Sequence, residues 1–294
     1  MMIKSFAKIN LGLEVLGRRP DGFHDIRTLF QSVSLHDDLF FFPDEAGRIL
    51  VSGDDPEVPW DESNLIHRAA RALSARRPGA PGVRVEVRKR IPSGKGLGGG
   101  SGNAAMTLRA LNRLWGLGLD RAALADIGRG LGADVPYFFE GGLCLGEERG
   151  DRISPLEDLP SLPLVIVLPP FSCPTAEIYR SHRLRPAPEA KLTSSGEDSR
   201  IMRFFETREL RSLENSLEAT VFRFHPRLQD LKALLLSRGA ELSLVTGSGS
   251  AVFGLFRDRR RAEEARRLAE EVFPAILAET VSREQYGRDI RAGV

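Results

Sequence analysis

Cysteine is scarce in this chain of 294 residues: there are two, Cys144 and Cys173, and they do not form a C-x-x-C pair. Neither a zinc site nor a disulfide framework is implied. Excess charge of one sign is missing as well. The formal net charge is +2, so the balance gives no reason to invoke nucleic acid or an acidic membrane. Long hydrophobic runs are absent: the longest, "LPLVIVL" (Leu162 to Leu168), is far too short to span a bilayer. No internal repeat with a period of roughly 20–50 residues is visible. "MMIKSFAKINLGLEVLG" carries charges and no cleavage-like site, which gives the expectation of a mature, cytoplasmic protein. What remains is ordinary globular composition, 41% hydrophobic and 28% charged, in a chain long enough for two domains.

In "AKINLGLEV", Ala7, Ile9, Leu11, Leu13 and Val15 alternate with Lys8, Asn10 and Glu14, the period of a half-buried strand. Pro20-Asp21-Gly22 is a turn signal. "TLFQSVSL" and "DLFFF" read as further strands, so the chain begins β-rich. Leu65, Ala69 and Leu73 mark an amphipathic helix over Asp61 to Arg77. A strand over Val83 to Val87 follows. Ala104, Leu108, Leu111 and Trp115 then mark a helix that Gly116 ends. Asp120 caps the next helix, and Asp134, just before Val135-Pro136, stands at the start of another. The texture changes near Glu148, which places a domain boundary near residue 150 and divides the chain into 1–150 and 151–294. Beyond it, "LPLVIVLPP" reads as a buried strand and Arg185 to Arg200 as a polar, Pro/Ser-rich loop. Leu213 to Phe222 and Pro226 to Ser237 read as helical. "ELSLV", "TGSGS" and "AVFGLF" read as strand, loop and strand, and "RRRAEEARRLAEEV" as a charged amphipathic helix.

Between strand and helix lies "IPSGKGLGGGSGNAA", with six glycines in the nine residues from Gly94 to Gly102. A Walker loop needs G-x-x-x-x-G-K-[ST]. Lys89 stands where its first glycine should be and Gly96 where its Ser/Thr should be, so that reading is rejected. Gly94, Gly96 and Gly99 formally match a dinucleotide fingerprint with Asp120 downstream, but that Asp opens a helix instead of ending a second parallel strand. A flexible linker would not sit tightly between a strand and a well-formed helix, and each glycine adds to the entropy lost on folding. The reading that survives is a phosphate-binding loop of another class, in which backbone N–H groups at a helix start surround an anion.

Taken singly, Lys8 reads as a solvated strand lysine, Asp134 as a cap, His24 as a surface histidine after a turn, and Phe23 as core. Together they mean more. Phosphoryl transfer to an alcohol needs a phosphate cradle, a cation near the transferred group and a carboxylate to take the hydroxyl proton. The glycine loop, Lys8 and Asp134 supply all three, although spacing does not bring them together in space.

Six motifs in order, "AKINLGLEVLGRRPDGFH", "NLIHRAARAL", "KRIPSGKGLGGGSGNAA", "LGADVPYFF", "LENSLE" and "TGSGSAVF", make nearly the whole chain resemble the GHMP kinases, small-molecule kinases that lack a Walker loop. The resemblance implies an α+β, two-domain architecture, with a ribosomal-protein-like N-terminal kinase domain, a ferredoxin-like C-terminal domain, and ATP with magnesium between them. It implies Asp134 as base on the acceptor hydroxyl, Lys8 holding that carboxylate ionised and offsetting charge on the phosphoryl group, and Asn10 orienting the pair. Pro92, Ser93, Gly94, Lys95, Gly96, Leu97, Gly98, Gly99, Gly100, Ser101 and Gly102 would wrap the ATP phosphates. Asn64 and Lys89 would meet the nucleoside end. The branch it resembles acts on a small molecule, a cytidine-diphosphate-linked methylerythritol, in the non-mevalonate route to isoprenoid precursors. Phe23 and Tyr179 would wall the cytosine, His24 would hydrogen-bond its edge, and Thr246, Gly247 and Ser248 would close over the site. The resemblance names no magnesium ligands.

Two departures stand out in the loop. Gly102 follows Ser101 where a second serine is usual, which removes a hydroxyl. Lys95 replaces a small residue, which adds a cation where phosphates should lie. Phe23 stands where Tyr is common, keeping the ring and losing the hydroxyl. Two alternatives stay open: a sister kinase with a homoserine- or mevalonate-type acceptor, against which "PDGFH" and "GADVPYFF" weigh, and a nucleotide-binding sensor without chemistry, against which Lys8 and Asp134 weigh.

Overall fold

The first strand, β1 (Met2–Arg18), is covered on both faces over most of its length. Ala7, Ile9 and Leu11 pack with Leu164, Ile166, Leu244 and Phe253 of a second sheet, while Ile3 and Phe6 pack into a separate core beneath helices. The half-buried reading of this strand is therefore corrected. Lys8, Asn10 and Glu14 are buried too, so Lys8 is not a solvated strand lysine. The structure, a computed structural model, describes residues 1–77, 79–182 and 199–291.

Strand β2 (His24–Asp44) runs antiparallel to β1 from the Arg18–His24 pair to the Met2–Phe40 pair. "TLFQSVSL" and "DLFFF" are thus parts of one strand of 21 residues. Its length lets it carry further neighbours at each end. Thr28 to Gln31 pair with β5 (Leu143–Glu147), and Asp38 to Asp44 pair with β4 (Gly82–Arg88). β3 (Ile49–Gly53) lies parallel to β4, and β6 (Arg152–Pro155) antiparallel to β5, giving the order β3-β4-β2-β5-β6 with β1 on β2.

The helices on this sheet begin and end on local signals. α1 (Leu65–Ser74) starts where the Asn64 side chain accepts from the Ile66 amide, and it buries Ile66, Ala69, Ala70 and Leu73 at i, i+3, i+4 and i+7. α2 (Gly99–Leu114) ends as expected. Gly116 sits at φ +61° and donates to the Arg113 carbonyl at 3.1 Å, while Leu117 donates to Asn112 at 3.0 Å, a Schellman closure. Asp120 caps α3 (Arg121–Arg129) through the Ala123 amide. Asp134 heads a short 3-10 helix, Val135–Phe139, but makes no capping hydrogen bond, which leaves its carboxylate free for other partners.

The chain changes sheet between Pro155 and Pro163. β7 (Pro163–Val167), β8 (Leu242–Val245), β9 (Val252–Leu255) and β10 (Ala275–Glu279) form an antiparallel sheet in the order β10-β7-β9-β8. Helices α4 (Thr175–Ser181), α5 (Arg200–Thr207), α6 (Glu218–Phe224) and α7 (Arg227–Ser237) lie between β7 and β8, and α8 (Arg259–Glu270) lies between β9 and β10. This split β-α-β order is that of a ferredoxin-like fold. Most of the polar stretch Arg185 to Arg200 lies outside the described residues. Its last two residues begin α5, which Ser199 caps by accepting from the Met202 amide. β5, β6, β10 and α5 are too short or too mixed in pattern to stand out from the sequence. So is α9 (Arg283–Arg291), which returns to the first sheet, where the Tyr286 hydroxyl donates to the Phe138 carbonyl at 2.6 Å. Among the described residues no helix is long and apolar enough to cross a membrane.

Tyr286→Phe keeps the buried ring and removes that hydroxyl. Urea unfolding is expected to show a loss of about 1–2 kcal/mol with an unchanged m-value.

Candidate active site

Lys8 and Asp134 are 126 residues apart in sequence (134 minus 8), yet the Lys8 Nζ stands 3.4 Å from the Asp134 carboxylate. Each is placed by buried neighbours. All five residues of Val135–Phe139 are buried, and the Tyr137 hydroxyl lies 2.7 Å from the Ser32 hydroxyl and donates to the Gly142 carbonyl at 2.8 Å. Burial raises the Tyr137 phenol well above its usual range, so it serves as a neutral donor there. On β1, the Lys8 Nζ donates to Asn10 Oδ1 at 2.7 Å. The Asn10 amide donates to Thr28 Oγ1 at 2.8 Å, and Thr28 donates to the Gly12 carbonyl at 2.7 Å. The ammonium is thus aimed by a relay of neutral groups. The pair is unequally buried: the Lys8 side chain is 4% exposed and that of Asp134 35%, so the carboxylate is the partner that faces solvent.

The glycine loop packs directly against this pair. The Lys8 amide donates to the Leu97 carbonyl at 3.0 Å. Gly96 and Gly98 sit at φ +78° and +73°. A Cβ on Gly96 would lie 2.2 Å from the Thr246 carbonyl oxygen, and one on Gly98 would lie 2.8 Å from the Phe138 ring and 3.0 Å from the Lys8 stem. Part of the glycine requirement therefore comes from the protein's own packing, before any ligand is considered. Gly102 is likewise buried, with Ser5 Oγ 2.8 Å from where its Cβ would be. α2 starts behind Gly98 with no side-chain cap, so the amides of its first turn have no acceptor within the helix. Pro92 and Ser93 lead into the loop, and Gly94, Gly99, Gly100 and Ser101 complete it.

Three loop-associated residues have protein partners of their own. Lys95 was to add a cation near the phosphates. Instead its Nζ donates to the Phe171 carbonyl at 2.7 Å, tying the loop to the second sheet's half, and burial lowers its pKa. Asn64 uses its amide to cap α1 and to donate to the Pro59 carbonyl at 2.8 Å. Lys89 is bonded to Asp37 at 2.5 Å. Neither Asn64 nor Lys89 lines the cavity that holds Lys8.

That cavity has a volume of about 850 Å³ and brings together Lys8, Asn10, Phe23, His24, Asp134, Tyr179, Gly247 and Ser248. The Tyr179 ring rests against that of His24, with centroids 5.2 Å apart. Burial, with Arg18 adding to it, lowers the His24 pKa and keeps the ring neutral at pH 7. Burial and the charge of Asp134 raise that of Tyr179. Phe23 is 55% exposed, with the Arg149 guanidinium 5.2 Å from its ring centre. Thr246 accepts from the Asn10 backbone amide at 3.1 Å and lies 3.2 Å from the Gly96 carbonyl, closing the loop "TGSGS" onto β1 and the glycine loop. The "LENSLE" motif braces that loop from behind: the Asn215 amide donates to the carbonyls of Val245 and Gly247, both at 2.8 Å, and Glu218 accepts from the Val245 amide at 2.9 Å.

Sequence reasoning missed Arg18, Arg149, Thr175 and Arg180, which also line the cavity. Thr175 was findable: it lies one helical turn before Tyr179 and shares a 2.9 Å hydrogen bond with Ser248. The arginines carry no local signal in a chain with 42 Lys and Arg residues.

Residues 64–142 match the family described as GHMP kinases N terminal domain, and residues 202–275 match GHMP kinases C terminal. The chain is 41% identical over 283 residues to a 4-diphosphocytidyl-2-C-methyl-D-erythritol kinase of Moorella thermoacetica, covering 94% of this chain and 97% of that protein. It is 41% identical over 281 residues to the kinase of the same name from Chlorobium phaeobacteroides, covering 94% and 96%. A crystal structure of 4-(cytidine 5'-diphospho)-2C-methyl-D-erythritol kinase aligns with a TM-score of 0.78 at 34% identity, over 95% of this chain and 99% of that one. The homoserine kinase of Cytophaga hutchinsonii shares the fold, with a TM-score of 0.73 at 20% identity over 96% of this chain and 95% of that one.

The packing around the loop separates two substitutions. Gly96→Ala forces a Cβ into the Thr246 carbonyl at a left-handed backbone position and is expected to cost roughly 2 kcal/mol or more. Gly100→Ala meets only the Leu65 side chain, at 3.6 Å, and is expected to be neutral or stabilising. Thermal unfolding of the two variants checks the contrast.

Proposed function

The chain belongs to the GHMP kinases, among the 4-diphosphocytidyl-2-C-methyl-D-erythritol kinases, and on that footing we propose how its own residues carry out ATP-dependent phosphorylation of the acceptor's 2-hydroxyl. The observation that carries the reading is the Lys8–Asp134 pair, 3.4 Å apart, at the wall of a cavity that also holds Phe23, His24 and Tyr179. The acceptor hydroxyl approaches Asp134, which takes its proton as the oxygen attacks the γ-phosphorus of ATP. The bond from that phosphorus to the β,γ-bridging oxygen breaks and ADP leaves. Lys8 offsets charge on the transferring group, and Asn10 and Thr28 keep its ammonium in place. The uncapped first turn of α2 and the loop before it cradle the phosphates.

The acceptor end is read from the cavity. Phe23 and Tyr179 offer aromatic faces to cytosine, and neutral His24 offers a hydrogen-bonding edge. Arg18, Arg149 and Arg180 put positive charge where a diphosphate would pass. A homoserine- or mevalonate-type acceptor has neither base nor diphosphate and would leave these groups without partners. Residues 1–150 then hold the catalytic pair and the nucleotide loop, residues 151–294 close the acceptor side, and the enzyme works in the cytoplasm. Among the described residues no three His, Cys, Asp or Glu stand together as a metal cluster. Magnesium carried by a triphosphate needs no such cluster, because phosphate oxygens, water and one or two protein oxygens suffice. The Ser101 hydroxyl, in the uncapped first turn of α2, would be the protein oxygen at hand. When bound, the ion offsets phosphate charge.

ADP release measured with the cytidine-diphosphate-linked acceptor, homoserine and mevalonate tests the reading, with turnover expected for the first alone. Asp134→Asn is expected to lower kcat by at least ~100-fold while ATP affinity changes little. Phe23→Ala is expected to weaken acceptor binding by about 10-fold and leave ATP binding unchanged, as calorimetry would show. Because the lowered His24 pKa keeps the ring neutral, the acceptor KM is expected to be flat at pH 7–8 and to rise only as the pH falls below the ordinary histidine range and the imidazole takes up a proton.

A further inference from the structure

Asp37, on β2, is fully buried and lines no part of the cavity. Its two oxygens accept four hydrogen bonds. Oδ1 takes the backbone amides of Arg90 at 2.7 Å and Ile91 at 2.8 Å, and Oδ2 takes Lys89 Nζ at 2.5 Å and Asn103 Nδ2 at 2.9 Å. Arg90 and Ile91 lie at the entrance to the glycine loop, where β4 has ended. Asn103 lies beyond its exit, on the second turn of α2. One carboxylate therefore joins the two ends of the loop. The neighbouring Asp38 holds the Arg90 side chain at 2.6 Å, so the entrance is gripped through both main chain and side chain. The Lys89 ammonium also lies 3.4 Å from where a Cβ on Gly99, the first residue of α2, would be. Its positive charge thus sits beside the amides of the helix start.

A carboxylate removed from water is tolerated only when its lone pairs are filled. Here the filling groups are the parts that a phosphate cradle must hold in register: the strand exit, the helix start and a cation beside it. We propose that Asp37 is a positioning residue for the nucleotide. It sets the spacing between the loop's entrance and the first turn of α2, and it keeps Lys89 at that turn. This rests on the reading of the loop as the ATP phosphate cradle.

Asp37→Asn keeps an oxygen for the two amides but turns an NH₂ group toward Lys89 and Asn103, setting donors against donors. Calorimetric titration of the intact protein with magnesium-ATP is expected to show a Kd raised about 10-fold or more, while the Kd for the cytidine-diphosphate-linked acceptor stays within about 2-fold. The exchange D37N/N103D returns one carboxylate to the space beside Lys89 and is expected to recover most of the ATP affinity. If the unaltered protein binds no ATP, the cradle reading fails and the proposal fails with it. If the unaltered protein binds and Asp37→Asn binds equally well, the proposal alone is overturned. Equal loss for ATP and acceptor, or no recovery in the double exchange, also overturns it. Should Asp37→Asn not fold, Asn103→Ala leaves Asp37 its other three donors. It is then expected to weaken ATP several-fold and the acceptor not at all, and an unchanged ATP Kd overturns the proposal.

Discussion

An ammonium group buried to 4% side-chain exposure has to be surrounded by acceptors, and much of the architecture around Lys8 answers that demand. Its contacts come from different parts of the chain: Asn10 from its own strand, the Phe30 ring from β2 at 5.3 Å, and Asp134 from the start of a helix far along the sequence. The strand that carries Lys8 can bury it only because helices lie against one face and a second sheet against the other. Charge burial and the two-layered cover of β1 are thus one constraint seen at two scales. The same burial gives the carboxylate a direction, since the Asp134 end of the pair is far more open to solvent than the Lys8 end.

Elements with a local signature were legible in the sequence. Gly116 after Trp115 closes α2, Asp120 opens α3, and "ELSLV", "TGSGS" and "AVFGLF" form the hairpin they suggest. The candidate site was legible mainly through the order of motifs, because no spacing rule relates Lys8 to Asp134. What escaped depends on tertiary placement. Asp37 and Asp38 are adjacent acids in "SLHDDLF", yet Asp37 is fully buried as the hub of four hydrogen bonds while Asp38 holds an arginine side chain. Nothing local distinguishes them. Lys95 looks like an added phosphate ligand in the sequence and is a tether to Phe171 in the fold. Arg149 joins the cavity only through the fold, which sets its guanidinium 5.2 Å from the centre of the Phe23 ring.

The two halves meet through interlocked loops as well as through apolar packing. Thr246 contacts both β1 and the glycine loop, Lys95 reaches the second half in return, and Asn215 holds the Thr246 loop from behind. The cavity wall and the glycine loop therefore share one frame. A shift in the Thr246–Ser250 loop would reach Gly96 and Asn10 together, which suits a reaction in which two substrates must be brought into line.

The return of α9 to the first strand bears on how the chain is made. β1 precedes these elements in the chain, but Ala7, Ile9 and Leu11 are covered by strands from beyond residue 160, and Phe6 meets the ring of Tyr286. During synthesis that face of β1, although the strand already has β2 as a partner, stays uncovered until strands from beyond residue 160 have emerged. Contacts of such long sequence separation make for slow folding and a need for protection against aggregation until the second sheet has formed.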